Sequence, residues 1–208
     1  LEHSIINISA QNGLSQNNVI SIFQDSEGLL WIGTNEGLNI DNSYEITNIY
    51  NQAGKSNTLS NNTIWVINED KNGNILLGTR EGLNVFNPLT GKFNLFKHDK
   101  NIPNSLSHDN IRSLATFDSV SFWAGSNYGL NAVDPNTGIC SRYFFEDEFG
   151  EISKSRDNII ISLCPDENNI LWIGTRNGIK KFNIHDGTYE SYRFNPTDPN
   201  SICGNNIR

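Results

Sequence analysis

Three short acidic turns are the first candidates for chemistry, because clustered carboxylates and amides are the oxygen ligands that Ca²⁺ prefers. The turns begin at Asp25, Asp70 and Asp166. Calcium needs six or more oxygens around one point, and an EF-hand loop needs a carboxylate at position 12. None of the three turns supplies this set. Each stands where a hairpin has to reverse direction, so we interpret the acidic residues as turn formers and predict no metal site.

Histidines and cysteines are the next candidates, since they supply many metal ligands, general bases and nucleophiles. The sequence has no His-x-x-x-His pair, no phosphate loop and no Gly-x-Ser-x-Gly motif. Its cysteines share no metal-ligand spacing, and their odd number argues against a disulfide framework. We therefore predict no catalytic residue, no metal and no cofactor. The residues concerned are His3, His98, His108, His185, Cys140, Cys164 and Cys203.

A third set of polar residues recurs at a fixed place, directly after a Gly-Thr or Gly-Ser pair. The set is Asn35, Arg80, Asn127 and Arg176. If the chain forms a ring, these residues could line one rim near the central channel and bind a ligand there. We favour the simpler interpretation that they are solvated hairpin residues, so the ligand-binding residues are left unassigned.

An internal repeat organises the whole chain. Its most regular part is a strand-like segment such as Leu-Trp-Ile-Gly-Thr, whose glycine stands at positions 33, 78, 125 and 174. The spacings of 45, 47 and 49 residues are typical of propeller repeats and too long for ankyrin or tetratricopeptide repeats. The density of Gly, Asn and β-branched residues also disfavours helical repeats.

Each repeat predicts four short strands joined by Asp-x-x-Gly and Gly-containing turns. The first two strands are apolar on both faces, so their sheet has to be covered on both sides. Four-stranded blades stacked around an axis meet this requirement. We predict an all-β fold, a β-propeller fragment of about four four-stranded blades over residues 1–208. The predicted blades are about 14–51, 59–97, 106–146 and 154–195, with an orphan strand at about 4–9 and the start of a further blade at 201–208.

The two ends of the sequence predict a partial ring cut from a larger propeller. The orphan strand resembles the fourth strand of a preceding blade, and Asn205-Asn206-Ile207 matches Asn17-Asn18-Val19. An arc leaves two blade faces uncovered, and large exposed apolar patches are rare on soluble monomers. We therefore expect a homodimer. We also expect Trp31 and Trp172 to lie buried between adjacent blades.

Composition and charge exclude further classes of function. The formal net charge is −8 and the basic residues are scattered singly, which disfavours nucleic-acid binding through this region. No apolar stretch reaches the ~18 residues of a transmembrane helix, and the first residues lack the features of a signal peptide. We expect membrane attachment only through parts of a parent chain that are absent here.

The repeat unit Leu-Ser-x-Asn-x-Ile, then Asp-x-x-Gly-x-Leu-Trp-Ile-Gly-Thr, then Gly-Leu-Asn, closely resembles the two-component-regulator propeller repeat. Residues 14–40 and 159–182 carry the resemblance best. The second unit has Leu76 where Trp is usual, and the third has lost its Asp-x-x-Gly turn at residues 117–120. The resemblance nevertheless extends over nearly the whole chain.

This resemblance implies the periplasmic sensor region of a hybrid two-component histidine kinase and response regulator of the Bacteroides type. In that family such regions respond to oligosaccharides released from glycans and signal through dimerisation. The resemblance implies that this region is not an enzyme, while the parent protein is a histidine kinase. No ligand-binding residue is carried over from the family to this sequence.

Two other functions stay open at this point. A propeller scaffold for protein–protein interaction would present an apolar patch at its rim. A propeller lyase or glycosidase would need a His and a Glu, or two carboxylates, converging at one rim. The sequence shows neither arrangement directly, because both depend on which repeat positions meet in space.

Overall fold

The computed structural model describes residues 7–117, 121–147, 149–152 and 155–207. In these ranges the chain forms sixteen strands in four antiparallel sheets, together with short 3₁₀ helices at Ala10–Asn12 and Arg156–Asn158. Each sheet holds four strands in chain order. No helix of the described ranges is long and apolar enough to cross a membrane. The predicted all-β fold with four four-stranded sheets is therefore confirmed.

The strand bounds follow the repeat, so each sheet is one blade. Blade 1 contains β1 (Val19–Gln24), β2 (Leu30–Thr34), β3 (Leu38–Asp41) and β4 (Ile46–Ile49). Blade 2 contains β5 (Ile64–Glu69), β6 (Ile75–Thr79), β7 (Gly82–Asn87) and β8 (Lys92–Phe96). Blade 3 contains β9 (Ile111–Thr116), β10 (Phe122–Ser126), β11 (Gly129–Val133) and β12 (Cys140–Tyr143). Blade 4 contains β13 (Ile160–Pro165), β14 (Ile170–Thr175), β15 (Gly178–Asn183) and β16 (Tyr189–Tyr192). The strand expected at about 4–9 lies largely outside the described residues.

The four blades stand side by side in chain order and form an open arc. Their first strands pack in sequence, β1 on β5, β5 on β9 and β9 on β13. Among the described strands, β1 and β13 do not pack together, so the predicted partial ring is confirmed. The open face is visible on blade 1, where Ile22 is 64% exposed. Its counterpart in blade 2, Ile67, is buried in the cluster that contains Trp31 of blade 1.

Adjacent blades interlock where an isoleucine sits on a glycine of the preceding blade. The glycine lies near the end of the second strand, and the isoleucine opens the first strand of the next unit. A methyl carbon added to Gly33 would lie 2.8 Å from Cβ of Ile64, and one added to Gly125 would lie 2.4 Å from Cγ2 of Ile160. Close packing therefore leaves no room for a side chain at the glycine. The four pairs are Gly33–Ile64, Gly78–Ile111, Gly125–Ile160 and Gly174–Ile207.

A second contact joins each unit to the opening of the next one. A backbone N–H shortly after one unit's fourth strand donates to the side-chain oxygen of an Asn or Asp in the next opening, at 2.6–2.7 Å. The donor and acceptor pairs are Ala10–Asn17, Asn51–Asn62, His98–Asp109, Phe145–Asn158 and Phe194–Asn205. The first and last pairs extend the geometry of the repeat to both ends of the described chain.

The tryptophan of the second strand belongs to the interface between blades. Trp31 is 1% exposed and meets the ring of Phe86 in blade 2 edge-on, with centroids 5.9 Å apart. Its indole N–H donates to the Asp25 carboxylate at 2.7 Å, which fixes the ring orientation. Trp172 is only half-buried and packs against Tyr192 of its own blade. The expected burial is thus observed for Trp31, whereas Trp172 is partly covered because it faces the open side of blade 4.

The opening of the fourth unit departs from the other three. In units one to three an Asn side chain on the third strand accepts the backbone N–H of the opening Ser, 24 residues earlier, at 2.6–2.9 Å. The fourth unit has one extra residue in its opening and Lys180 in place of the Asn. The Lys180 ammonium lies 2.6 Å from the Asp157 carboxylate, and both side chains are at most 1% exposed. Asp157 also contacts Arg193 at 3.1 Å and accepts Asn177 at 2.9 Å. A buried ion pair therefore replaces a neutral hydrogen bond.

We predict that this ion pair makes stability depend on pH and on Asp157. Burial alone would raise the pKa of Asp157, but hydrogen bonds from Lys180 and Asn177 and the charges of Lys180 and Arg193 outweigh it, so that the pKa lies below its ordinary value. The resulting stabilisation is complete above the unfolded-state pKa of about 3.9 and disappears as pH falls through the lower folded-state pKa.

Asp157→Asn leaves the Lys180 ammonium buried without its counter-charge, so it should cost about 3–5 kcal/mol of unfolding free energy at pH 7. Urea unfolding at pH 7 and pH 3 measures both effects, and the variant should lose less stability than the natural protein between these pH values. Glu27→Gln, at an exposed hairpin position, is the matched control and should change little. Equal stability of Asp157→Asn and the natural protein at pH 7 would contradict the assignment.

Candidate ligand-binding site at one end of the arc

The turns between the second and third strands of the four blades carry the recurring polar residues. Because every blade has the same strand order, these turns lie at the same end of the arc. Their four residues are those that the sequence placed after Gly-Thr or Gly-Ser, namely Asn35, Arg80, Asn127 and Arg176. Arg80 and Arg176 are exposed, whereas Asn35 and Asn127 are half-buried.

A buried hydroxyl fixes each of these turns. The Thr79 hydroxyl donates to the Gly82 carbonyl at 2.8 Å and accepts the Glu81 N–H at 3.1 Å. The same two bonds recur at Thr34, Ser126 and Thr175. Gly82 has a φ of 124°, and a Cβ there would lie 2.7 Å from the Phe96 carbonyl oxygen, so only glycine fits. The first of the two residues between the hydroxyl and the glycine is consequently held at an equivalent place in every blade.

Arg112 joins this rim from the neighbouring first strand. It is the second residue of β9, at a register shift between β9 and β10. Its guanidinium carbon lies 4.6 Å from the ring centroid of Trp65, the second residue of β5 in blade 2. Its Nε donates to the Asn127 side-chain oxygen at 2.8 Å. One side chain therefore links the first strands of two blades to the rim turn of blade 3.

The register shift explains why these side chains meet at this place. The first strand of every blade has a shift at its second residue, and such irregularities re-aim a side chain away from the regular alternation. The equivalent residues are Ile20, Trp65, Arg112 and Ile161. Because Arg112 reaches Trp65 across adjacent first strands, these positions lie along the inner wall of the arc.

Three guanidinium groups share the electrostatic environment of this rim. Burial, and then the positive charges of Arg176 and Arg80, lower the pKa of Arg112. The guanidinium groups of Arg80 and Arg176 have no hydrogen-bond or ion-pair partner among the described residues. The terminal nitrogens of Arg112 are likewise unpartnered there, since only its Nε is engaged. We call Trp65, Arg80, Arg112, Asn127 and Arg176 the arginine rim.

The opposite end of the arc has the reverse charge. A cavity of about 660 Å³ lies among the turns between first and second strands of blades 2 to 4. Its lining includes Glu69, Asp70, Asp166 and Glu167 beside Lys71 and Phe117. Glu69 accepts the backbone N–H and the hydroxyl of Ser26 at 2.8 and 2.6 Å, and Asp70 accepts the backbone N–H groups of Asn72 and Asn74 at 2.8 and 2.9 Å. Within the described ranges no three His, Cys, Asp or Glu residues are placed to hold a metal ion.

Two histidines and one cysteine of the described chain have structural surroundings, namely His98, His108 and Cys140. His98 Nδ1 lies 2.7 Å from the Leu106 carbonyl oxygen, and the His108 ring accepts the Asn110 N–H at 2.9 Å. Burial raises the pKa of the Cys140 thiol to about 11, so it stays protonated at neutral pH and is a poor nucleophile. Cys164 and Cys203 are exposed and free. His3 lies outside the described residues.

Sequence patterns found only part of the arginine rim. The residues after Gly-Thr or Gly-Ser include Arg80, Asn127 and Arg176, and the structure brings all three near Arg112. Arg112 and Trp65 were missed. Their signal was an alignment column in which a cation and a large aromatic stand among the isoleucines at positions 20 and 161.

Comparison with protein families gives matches in three of the repeats. The model of the two component regulator propeller matches residues 13–36, 58–81 and 154–177. The third unit, which has lost its Asp-x-x-Gly turn, is not among the matched segments. No curated protein matches the chain.

Solved structures with the same fold include extracellular domains of signalling proteins. The extracellular domain of BT4673 from B. thetaiotaomicron, named a one component system, is 25% identical with a TM-score of 0.71 over 92% of this chain. The extracellular domain of BT3049 from the same organism, named a hybrid two component system, is 24% identical with a TM-score of 0.64 over 91% of this chain. The WD40 repeats of RRP9 share the fold at 7% identity and a TM-score of 0.64, over 85% of this chain and 51% of theirs. This chain spans 24% of the BT4673 domain and 32% of the BT3049 domain.

Proposed function

Because this chain is built from two-component regulator propeller repeats, we propose that it is a ligand-sensing part of a hybrid two-component receptor. The similar domains of BT4673 and BT3049 are extracellular, which supports a place outside the cytoplasm. We assign it to the periplasm and propose that it passes its signal to a histidine kinase elsewhere in the receptor. The chain itself then acts by binding and not by catalysis.

The arginine rim is the observation that carries the binding role. Ligand sites combine an aromatic or apolar surface with a few converging polar groups that fix orientation. Trp65 supplies the aromatic surface, and Arg112 and Asn127 supply polar groups that are already held in place by contacts of 4.6 and 2.8 Å. The unpartnered guanidinium groups nearby are donors without acceptors. This combination suits the flat faces and the hydroxyl groups of an oligosaccharide.

The described side chains favour binding over the two alternatives. The rim has guanidinium groups and amides where a glycosidase or lyase would need two acid–base residues. Among its five residues it has one aromatic ring, Trp65, whereas the scaffold alternative requires a broad apolar patch at the rim. A sensor that binds an oligosaccharide without changing it accounts for both features.

The function is tested by binding and by turnover on the same purified chain. A panel of oligosaccharides should contain a class that raises the unfolding free energy by about 2.7 kcal/mol at 100 times its Kd, with no product formed. Trp65→Ala should remove this effect, while Trp172→Ala, a half-buried tryptophan outside the rim, should leave ligand affinity unchanged. In cells, the same sugar class should induce the genes that the receptor controls.

Two results would contradict the sensor assignment. Steady release of products that a single Asp or Glu substitution abolishes would identify an enzyme. A receptor that responds to no oligosaccharide in cells, while the chain binds a protein ligand at this rim, would identify a docking module.

We also propose that the chain forms a homodimer. The open face of blade 1 exposes Ile22 at 64% and Val19 at 37%, and two identical chains can cover such faces with one symmetric contact. Light scattering coupled to size exclusion should give about twice the 23.3 kDa of one chain. A monomer at every concentration would contradict this proposal.

A further inference from the structure

We propose that the arginine rim binds the acidic group of a charged saccharide, a carboxylate or a sulfate on a sugar ring. The inference rests on the proposed sensor function and narrows its ligand to one chemical class. Its basis is the stacking of Arg112 on Trp65 and its hydrogen bond to Asn127, with Arg80 and Arg176 in the equivalent turns of the two flanking blades.

The rim is positively charged, whereas the chain as a whole is negatively charged. The formal net charge is −8, with 15 basic and 23 acidic residues. Like charges that lie close together repel, so a cluster of three guanidinium groups without carboxylate partners is unfavourable until an anion arrives. Burial, and after it the charges of Arg176 and Arg80, lowers the pKa of Arg112, which is consistent with this repulsion.

Arg112 is positioned for planar recognition. Its guanidinium lies 4.6 Å from the centre of the Trp65 ring and is tethered through Nε to Asn127 at 2.8 Å. Stacking and tethering fix the side chain before a ligand binds, so less conformational entropy is lost on binding. The two terminal nitrogens have no partner among the described residues, and a guanidinium offers such a pair to a carboxylate or sulfate in bidentate geometry.

Arg80 and Arg176 supply the second part of the site. They occupy equivalent turns of blades 2 and 4, on either side of the blade that carries Arg112. Both side chains are exposed, and their guanidinium groups have no partner in the described chain. They can therefore reorient to contact an anion that is bound at Arg112. The acids of the same turns point elsewhere, since Glu81 accepts Asn61 at 3.1 Å and lies 4.0 Å from Lys97.

The two ends of the arc carry opposite charges, so an anionic ligand is attracted to one end and repelled from the other. Glu69, Asp166 and Glu167 surround the cavity at the far end of the arc, where an anion would be repelled. The rim end attracts the same anion. A charged saccharide is therefore steered to one mouth of the arc.

The experiment compares acidic and neutral forms of the same sugar on the purified chain. The probes are trigalacturonic acid, its fully methyl-esterified form, and a sulfated tetrasaccharide prepared from heparin. Calorimetric titration at low salt measures affinity. Quenching of tryptophan fluorescence that disappears in Trp65→Phe shows that the probe binds beside Trp65. We expect at least one acidic probe to bind about tenfold or more tightly than the methyl ester, and its affinity to fall with added salt.

Substitutions locate the site within the chain. We expect affinity for the acidic probe to fall about tenfold or more in Arg112→Gln. The same fall is expected in the double variant Arg80→Gln with Arg176→Gln. Arg112→Lys keeps the charge but loses the planar pair of donors, so its affinity for the acidic probe should lie between those of the natural protein and Arg112→Gln. Arg156→Gln removes an exposed guanidinium from the connection between blades 3 and 4 and should leave affinity within about twofold. Circular dichroism and thermal melting verify that each variant is folded.

The outcomes separate this inference from the proposed function. If the neutral ester binds as tightly as the acid and the Arg variants bind normally, the anion site is overturned while oligosaccharide sensing stands. If neither acidic probe binds, the anion site is also overturned. The sensor function fails separately, when the receptor responds to no saccharide in cells.

Discussion

The packing of an isoleucine on a bare glycine is the contact on which the rest of the structure depends. A blade is apolar on both faces and cannot stand alone in water, so it has to be covered by its neighbours. At each interface the two sheets approach so closely that a Cβ added to the glycine would overlap the next blade, and at Gly125 such a Cβ would lie 2.4 Å from Ile160 Cγ2. This approach sets the separation of the blades and hence the curvature of the arc.

The same contact places the candidate site. The isoleucine that sits on the glycine is the first residue of its strand, and the register shift follows at the very next residue. The side chain at that next residue turns to the inner wall, where Arg112 of one blade reaches Trp65 of another. The hydroxyl-locked turns then bring Arg80, Asn127 and Arg176 to the same level. The repeat places a side chain at the same point of every blade. Where that side chain is Arg112 or Trp65, and not isoleucine, it can contact a ligand.

Sequence patterns predicted most of the fold and three of the five residues of the arginine rim. Glycine spacing gave the blades, and Asp25 shows why the acidic turns were recognisable, since its three hydrogen bonds stay within one hairpin. Arg112 and Trp65 could not be recognised by alternation, because a register shift is a property of two paired strands and leaves no mark in one of them. The Lys180–Asp157 pair was missed for a related reason. The first three units have Gln, Asn and His at the place of Asp157, so no acidic residue recurs there, and only the folded chain shows the two charges meeting.

A double-mutant cycle at one blade interface tests the central role of the isoleucine–glycine contact most directly. Gly125→Ala alone should cost about 1–3 kcal/mol through overpacking, and Ile160→Ala alone about 2–5 kcal/mol through the cavity it leaves. In the double variant the new methyl group keeps its close contact with Ser113 Oγ of its own blade, at 2.3 Å, but no longer overlaps Ile160 Cγ2 of the next blade. We therefore expect a total cost at least about 1 kcal/mol below the sum of the two. Gly204→Ala, which meets no atom within 4 Å, combined with Ile160→Ala is the additive control. Strictly additive costs of Gly125→Ala and Ile160→Ala would show that the isoleucine–glycine contact does not set the packing of adjacent blades.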